Sequence, residues 1–299
     1  MLAIVIPYYK ISFFEKTLSS LKNQTNKQFK VYVGDDNSPE SPLSLIENNK
    51  DTLDLVYKKF ESNLGGISLV KHWKRCLDLI QEEKWVMILG DDDSLSINVV
   101  AEFYNSLPNL SENKIKVMRF SSQTIGENGE ELSEVFCHKE FENGNDFFYR
   151  KYKGITRSSL SEYVFDVEKL KNNFFYEFPL AWHSDDLAVL ECSNFNYIYS
   201  NNEAKVLVRI SNLSITGRTD LTLEKLKASQ QYFERLLYHY PRKFNEQNLQ
   251  LIFRKVEYFF YNKKTISEYM RLSYLHLNYL GFLSFLKFNR RIYKNTKLL

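Results

Sequence analysis

Apolar residues in the first third of the chain are concentrated in short segments with polar turns between them. A short apolar run bounded by turn residues is typical of a strand that is buried on both faces of a parallel sheet. Residues 2–7 and 85–89 are such runs, and the more mixed segments 29–33 and 53–58 are predicted as two further strands. The stretches between them have helical spacing. Strands that alternate with helices predict a doubly wound, mainly parallel α/β sheet.

The predicted helices have local start signals. Ser12 followed by Glu15 is a capping-box pattern, so we expect the first helix to begin there. A short helix is predicted at 43–48, and the turn at 63–66 opens a longer one. Its predicted buried face consists of Ile67, Val70, Trp73, Leu77 and Ile80.

The alternation is less regular after a helix predicted at 98–107. Residues 147–156 are ambiguous. Asp166 is expected to cap one further helix, and Ser184 or Asp185 another. Further strands are predicted at 114–124, 132–138, 160–165, 197–200 and 204–211.

The pattern becomes helical from residue 222 onward. Two amphipathic helices precede the stretch 272–286, which contains no Lys, Arg, Asp or Glu and is shorter than the ~20 residues that span a bilayer. Five basic residues follow it: Lys287, Arg290, Arg291, Lys294 and Lys297. Two interpretations stay open, an interfacial helix with a basic flank that contacts the membrane through 265–299, and a last helix packed on the rest of the protein.

Composition narrows the class of protein. The net charge of +3 is too small to indicate a nucleic-acid partner. The three cysteines have no CxxC spacing and predict neither a zinc site nor a disulfide framework, which fits a reducing cytoplasm. The opening residues have no basic region before the apolar run, so we interpret them as a first strand and expect a cytoplasmic protein.

Two acidic clusters follow predicted strands, Asp35-Asp36 after the second and Asp91 to Asp93 after the fourth. The carboxyl ends of parallel strands meet at one edge of a sheet, where ligands bind. Three adjacent carboxylates repel one another, and Mg²⁺ or Mn²⁺ together with substrate phosphates would relieve that repulsion. The alternative is a solvated acidic turn. Neither GxGxxG nor GxxxxGK[ST] is present, so dinucleotide and P-loop sites lack their main support.

Six motifs in order resemble those of the family-2 glycosyltransferases of the GT-A fold. They are IVIPYYK at 4–10, LSSLKNQT at 18–25, VGDDNS at 33–38, NLGG at 63–66, LGDDDSL at 89–95 and Asp185-Asp186. The resemblance covers about residues 1–215. It implies a GT-A catalytic domain at 1–215, with a nucleotide-binding half at 1–110 and an acceptor-binding half at 111–215, followed by a helical region at 216–299.

The sequence departs from the family pattern at several positions. Gly90 stands where the first Asp of the common D-A-D-D motif would be, which leaves Asp92 as the expected metal ligand, with Asp93 beside it. The acidic pair of the base motif is Asp185-Asp186 rather than E-D. Arg209 is followed by Ile210-Ser211, where the family often has R-x-H.

The resemblance implies an inverting enzyme that moves a sugar from a nucleotide-diphosphate sugar, most commonly a UDP-sugar, to a hydroxyl of a glycan or lipid-linked acceptor in bacterial surface polysaccharide synthesis. Asp186 would be the general base, with Asp185 and then His183 as alternatives; Asp186 could instead only stabilise a helix N-terminus. Trp182 and His183 would face the acceptor. The expected nucleotide-sugar contacts are Pro7, Tyr8, Tyr9, Asp35, Asp36, Asn63, Gly65, Lys71, Asp91 and Arg209. For Tyr8 a place in the core, and for Lys71 and Arg209 a solvated cation, are the alternatives.

Two other functions are alternatives to this interpretation of the sequence. A catalytically silent GT-A-fold protein would bind glycans or act as a scaffold without turning over a donor. A sugar nucleotidylyltransferase shares the sheet but needs a Gly-rich phosphate loop after the first strand, and Pro7-Tyr8-Tyr9-Lys10 is not one.

Overall fold

The computed structural model describes residues 1–212, 214–263 and 265–296. Within them the chain divides into two compact units, Met1–Leu223 and Glu224–Leu299. The first unit contains the sheet and all the candidate site residues, and the second is helical.

The first unit begins with alternating strands and helices, as the sequence predicts. The elements are β1 (Leu2–Tyr8), α1 (Phe14–Lys22), β2 (Phe29–Asp35), α2 (Leu43–Glu47), β3 (Leu55–Lys59), α3 (Leu69–Leu77) and β4 (Trp85–Ile88). β1 lies between β2 and β4, and these three strands and β3 are parallel. β1 and β2 are buried on both faces, because helices cover the two sides of a parallel sheet, whereas the edge strand β3 is only partly buried.

The remainder of the unit extends the sheet with strands of both directions. It comprises β5 (Ser94–Leu95), α4 (Val99–Glu112), β6 (Val117–Ile125), β7 (Phe141–Asn143), α5 (Gly144–Tyr152), β8 (Tyr163–Asp166), α6 (Val167–Asn172), α7 (Ser184–Cys192) and β9 (Tyr197–Arg209). The order across the sheet is β3-β2-β1-β4-β8-β6-β9-β5, and β7 pairs with β9. β8 is antiparallel to both β4 and β6. The α/β class is confirmed, and the sheet, predicted as mainly parallel, is mixed because its second half contains antiparallel pairs.

Several local predictions are wrong in detail. α1 begins at Phe14 without a side-chain cap, so the capping box at Ser12 is wrong. Ser68 caps α3, which leaves Ile67 outside the helix and 84% exposed. The two strands predicted around 200 form one strand, β9. The strand predicted at 132–138 is reduced to isolated bridges with β6.

The second unit contains α8 (Thr222–His239, which begins at the end of the first unit), α9 (Glu246–Lys263) and α10 (Ile266–Thr296). α10 includes the apolar stretch 272–286 and bends at Gly281, whose φ of 79° suits glycine. Its inner side is held by His276, which contacts Glu257 at 3.0 Å, and by an ion pair between Glu257 and Arg291. Of the predicted basic flank, Lys297 lies outside the described residues. No helix in the described part of the chain is both long and apolar enough to cross a membrane.

Candidate active site

The acidic loop after β4, Asp91 to Asp93, lies at the edge that the sequence predicts. The parallel register aligns Tyr8 at the end of β1 with Asp35 at the end of β2, and β4 flanks β1 on the other side. The Asp91 carboxylate accepts the backbone N–H groups of Tyr9 and Lys10, each at 2.8 Å. Asp91 therefore ties the acidic loop to the loop that follows β1.

The three acids of this loop differ in their partners. Asp93 is buried and accepts hydrogen bonds from the Ser161 hydroxyl and from the Arg209 backbone N–H. The Asp92 carboxylate accepts no hydrogen bond from another residue in the described ranges. Burial, with the neighbouring charges of Asp93 and Asp91, raises the pKa of Asp92 well above its ordinary value. Asp92 is the acid of this loop that is left to a ligand.

The acidic loop has few side chains that could bind a divalent cation. The described residues contain no group of three or more His, Cys, Asp or Glu side chains that could enclose a metal ion. The available metal ligands are instead the carboxylate of Asp92, which accepts no hydrogen bond from another described residue, and the neighbouring carboxylate of Asp93. Mg²⁺ and Mn²⁺ are commonly bound in this way, by one or two carboxylates together with substrate phosphates. A Cβ at Gly90 would lie 3.0 Å from Asp92 Oδ1 and from Asp93 Oδ2. The glycine therefore keeps a side chain out of the space beside both carboxylates.

The acidic pair after β2 is buried and organises its own loops. Asp35 accepts a hydrogen bond from the Tyr57 hydroxyl at 2.6 Å. Asp36 accepts the N–H groups of Leu64 and Gly65, both at 2.8 Å, and forms an ion pair with Arg75. Asp36 thus anchors the turn predicted to contact the nucleotide. A direct contact of Asp35 or Asp36 with nucleotide stays a prediction.

Gly65 and Asn63 shape this turn. A Cβ at Gly65 would lie 2.5 Å from Asp36 Oδ2, closer than real Cβ contacts come, so a side chain here would displace the carboxylate. Asn63 Oδ1 accepts the Gly66 N–H at 2.7 Å. Both residues of the predicted N-x-G motif are explained by the turn itself, and their contact with a donor stays a prediction.

The other predicted donor contacts have different environments. The Tyr8 ring is fully buried against Phe14, with centroids 4.7 Å apart, which favours the core alternative, whereas Tyr9 is 37% exposed. Pro7 is half-buried beside them. Lys71 is exposed, 3.8 Å from Glu177.

Arg209 is 3% exposed, and its side chain is hydrogen-bonded within the protein. It donates to the carbonyl oxygens of Asp92 and Gly126, and its guanidinium lies 4.5 Å from the centre of the Phe13 ring. These contacts stabilise the acidic loop. In this structure Arg209 is therefore not a solvated cation, and its guanidinium is not free to bind a diphosphate.

The segment before α7 has an unusual backbone. Leu180, Ala181 and His183 all have positive φ, at 58°, 54° and 72°. Such left-handed conformations cost non-glycine residues free energy and are concentrated at functional sites. His183, rather than Ser184 or Asp185, is the N-cap residue of α7. Trp182 is half-buried, and its ring lies 5.9 Å from that of His183.

Asp186, in the first turn of α7, has one committed and one uncommitted oxygen. Its Oδ2 contacts His183 Nδ1 at 2.8 Å and forms an ion pair with Lys151, whereas its Oδ1 is buried without a hydrogen-bond partner among the described residues. Burial raises the pKa of Asp186, but Lys151 and His183 together outweigh it and hold the pKa below its ordinary value. The carboxylate is therefore ionised and has a free proton acceptor.

Asp185 differs from its neighbour in charge state. Burial and the charge of Asp186 raise the pKa of Asp185 to about 7. Its Oδ1 accepts the Asp186 N–H at 2.9 Å. Two adjacent carboxyls with pKa values driven apart suit distinct roles, and the ionised Asp186 is the better proton acceptor near neutral pH.

Sequence reasoning missed three residues around these acids. Lys151 pairs with Asp186, and Ser161 joins Asp93 and the Gly90 N–H. Glu162 is fully buried, and neither carboxylate oxygen has a hydrogen-bond partner in the part of the chain that the structure describes. Its pKa is raised to about 7 by burial. The sequence signal that could have identified Glu162 is its position directly before the apolar run Tyr163 to Phe165.

A mixed α/β sheet with acids after β2 and β4, and a second acidic pair at the start of α7, is a GT-A-type glycosyltransferase fold. The structure is similar to that of S. aureus TarS 1–349 in complex with UDP-GlcNAc, with a TM-score of 0.65, 16% sequence identity and coverage of 93% of this chain and 80% of that one. Full TarS matches with a TM-score of 0.61 and 19% identity, over 96% of this chain and 49% of that one. No match is found among proteins of curated function.

The family profile described as Glycosyl transferase family 2 matches residues 3–111. The resemblance to family-2 glycosyltransferases that the sequence motifs indicate is confirmed by this match. The matched range contains β1 to β4 and the acidic loop, whereas Asp185 and Asp186 lie beyond it.

Proposed function

We propose that this protein is an inverting glycosyltransferase that moves a sugar from a UDP-sugar to the hydroxyl of a glycan or lipid-linked acceptor. The observation that carries the proposal is the presence of two separate acidic sites. One is the acidic loop at the sheet edge, and the other is Asp186, whose carboxylate is ionised and has one buried oxygen without a hydrogen-bond partner among the described residues. The TarS structures with UDP-GlcNAc and UDP support a UDP-linked donor.

The acceptor must lose a proton as it attacks. In the proposed mechanism Asp186 Oδ1 accepts that proton while the acceptor oxygen bonds to the anomeric carbon and the bond from that carbon to the diphosphate breaks. Lys151 and His183 hold the carboxylate in its ionised form and fix its orientation. General base catalysis of this kind contributes about 10²–10⁴-fold.

The leaving diphosphate gains negative charge, which the site must offset. Asp92, with Asp93 beside it, would hold Mn²⁺ or Mg²⁺ there, and such a cation supplies Lewis-acid stabilisation of the diphosphate. Within the chain, the hydrogen bonds from Ser161 and from the Arg209 N–H orient Asp93 for this role. The backbone N–H groups of Tyr9 and Lys10 hold Asp91 away from it.

Thermal unfolding with a panel of nucleotide diphosphates tests the donor. We expect UDP with Mn²⁺ to raise the melting temperature more than GDP, CDP or dTDP, because ligand binding to the folded state stabilises it by mass action. Release of UDP from UDP-sugars then measures turnover. If no nucleotide shifts the transition and no UDP-sugar is consumed, the silent scaffold is the better description.

The outer side of α10 supports a lipid-linked acceptor at the inner face of the plasma membrane. Large apolar side chains are exposed there, among them Phe282 at 62% and Leu283 at 72%. The exposed Lys287, Arg290 and Lys294 follow within the same helix. Apolar side chains beside basic ones suit the surface of an anionic membrane.

Liposome pelleting tests this contact. The double variant Phe282→Ser, Leu283→Ser should pellet markedly less with anionic vesicles than the wild type, because it removes exposed apolar area and leaves the basic flank intact. Ile97→Ser, which removes another exposed apolar side chain (59%) from the first unit, is the matched control and should pellet like the wild type. Equal pelleting of all three proteins would exclude the proposed membrane contact.

A further inference from the structure

Glu162 is held next to the acidic loop by the residue that precedes it. It ends a turn of 3₁₀-helix, Leu160–Glu162, between α5 and β8. The Ser161 hydroxyl donates to Asp93, and it accepts the Gly90 N–H at 3.0 Å. The turn that carries Glu162 is thereby fixed to the loop where the donor's diphosphate is proposed to bind.

The charges around Glu162 connect that loop with the proposed base. Arg157 lowers the pKa values of both Asp93 and Glu162, so its guanidinium acts on the two acids together. Lys151, the ion-pair partner of Asp186, also lowers the pKa of Glu162. The charge of Glu162 in turn raises the pKa of Asp185. The charge of Glu162 is therefore coupled both to the acidic loop and to the acidic pair at the start of α7.

The polar atoms at this position are unusually short of partners. Both carboxylate oxygens of Glu162, the Ser122 hydroxyl and Arg157 Nη1 are buried and have no hydrogen-bond partner within residues 1–212, 214–263 and 265–296. The Ser122 hydroxyl is close enough to lower the pKa of Glu162, yet outside hydrogen-bond geometry. Buried polar groups are nearly always paired, so unpaired acceptors and donors from three separate segments point to a ligand.

We propose that Glu162, with Ser122 and Arg157, binds the hydroxyl groups of the donor's sugar ring. This inference rests on the proposed function, since it places the transferred sugar between its diphosphate and the base. A carboxylate accepts hydrogen bonds from two hydroxyls, and a guanidinium donates to ring oxygens that lack a proton. The subsite thus suits a hydroxyl-rich pyranosyl group, and it contributes to sugar recognition rather than to nucleotide recognition.

Titration calorimetry with UDP and with UDP-GlcNAc, both in the presence of Mn²⁺, separates these contributions. In Glu162→Gln we expect the affinity for UDP to equal that of the wild type and the affinity for UDP-GlcNAc to fall by about tenfold or more, the usual effect of losing a hydrogen bond to a charged group. Glu168→Gln, an exposed Glu on α6, is the matched control and should change neither affinity.

Thermal unfolding without ligand distinguishes recognition from a structural role. A carboxylate that is buried and unpaired costs folding free energy, so Glu162→Gln should melt at the wild-type temperature or above it. Equal losses of UDP and UDP-GlcNAc affinity, or no loss of either, would overturn the subsite. A wild-type protein that binds neither compound would instead overturn the proposed function, and the subsite with it.

Discussion

Replacing Asp186 with Asn should lower the rate of sugar transfer by about 10²–10⁴-fold while donor affinity stays close to that of the wild type. The amide keeps the size of the side chain but cannot accept the acceptor's proton. Donor affinity is retained because Asp186 is bound by Lys151 and His183, not by the acidic loop. Release of UDP during transfer and calorimetric titration of UDP measure the two quantities separately.

The matched control is Asp166→Asn, which removes the charge of an acid that pairs with Lys116 and caps α6 outside the site. Asn is also a good cap, so we expect near wild-type transfer. If Asp186→Asn turned over like the wild type, the base would be Asp185 or His183.

The same substitution has a stability signature with a defined pH dependence. The folded-state pKa of Asp186 is lowered, so its ionised form stabilises the fold above the unfolded-state pKa. That contribution is lost as the pH falls through the lowered folded-state value. Asp186→Asn should therefore unfold at a lower temperature than the wild type at pH 7, and the difference should shrink in strong acid. Thermal unfolding across that range checks the sign.

The order of β1 to β4 and the place of both acidic clusters could be predicted from the sequence because they depend on local patterns. A strand buried on both faces must be apolar throughout, and its polar end must lie where the sheet edge meets solvent or ligand. Asp91 is an example, since its position in the loop that follows β4 was enough to place it beside the end of β1. The cap of α6 at Asp166 was also predicted. The starts of α1 and α7 were not, because neither helix has a side-chain cap.

The partners of the site residues could not be predicted, since they come from distant segments. Arg209 lies more than a hundred positions from Asp92, yet it braces that residue's carbonyl. Arg75 reaches Asp36 from α3, and Lys151 reaches Asp186 from α5. A pattern read along the chain identifies an acid, but only the fold shows whether its oxygens are already used. This distinction separates Asp36, whose two oxygens are used, from Asp92.

Asp92→Ala should abolish the gain in UDP-sugar affinity and transfer that Mn²⁺ gives the wild type. Its raised pKa reflects burial and repulsion from Asp93 and Asp91, and a bound cation relieves that repulsion. Mn²⁺ with UDP should therefore raise the melting temperature of the wild type, more at pH 8 than at pH 5, where protonated carboxyls compete with the cation. The variant without Mn²⁺ should be at least as stable as the wild type, because one of three repelling charges is gone.

Asp51→Ala is the matched control, an exposed Asp whose loss should leave the response to Mn²⁺ unchanged. The comparison discriminates because the same side-chain truncation is made inside and outside the acidic loop. A variant at Asp92 that still responds to Mn²⁺ as the wild type does would exclude this carboxylate as the ligand and leave Asp93 as the candidate. A wild type whose transfer is insensitive to Mn²⁺, Mg²⁺ and chelator would instead show that transfer needs no divalent cation and would overturn the proposed metal role of the acidic loop.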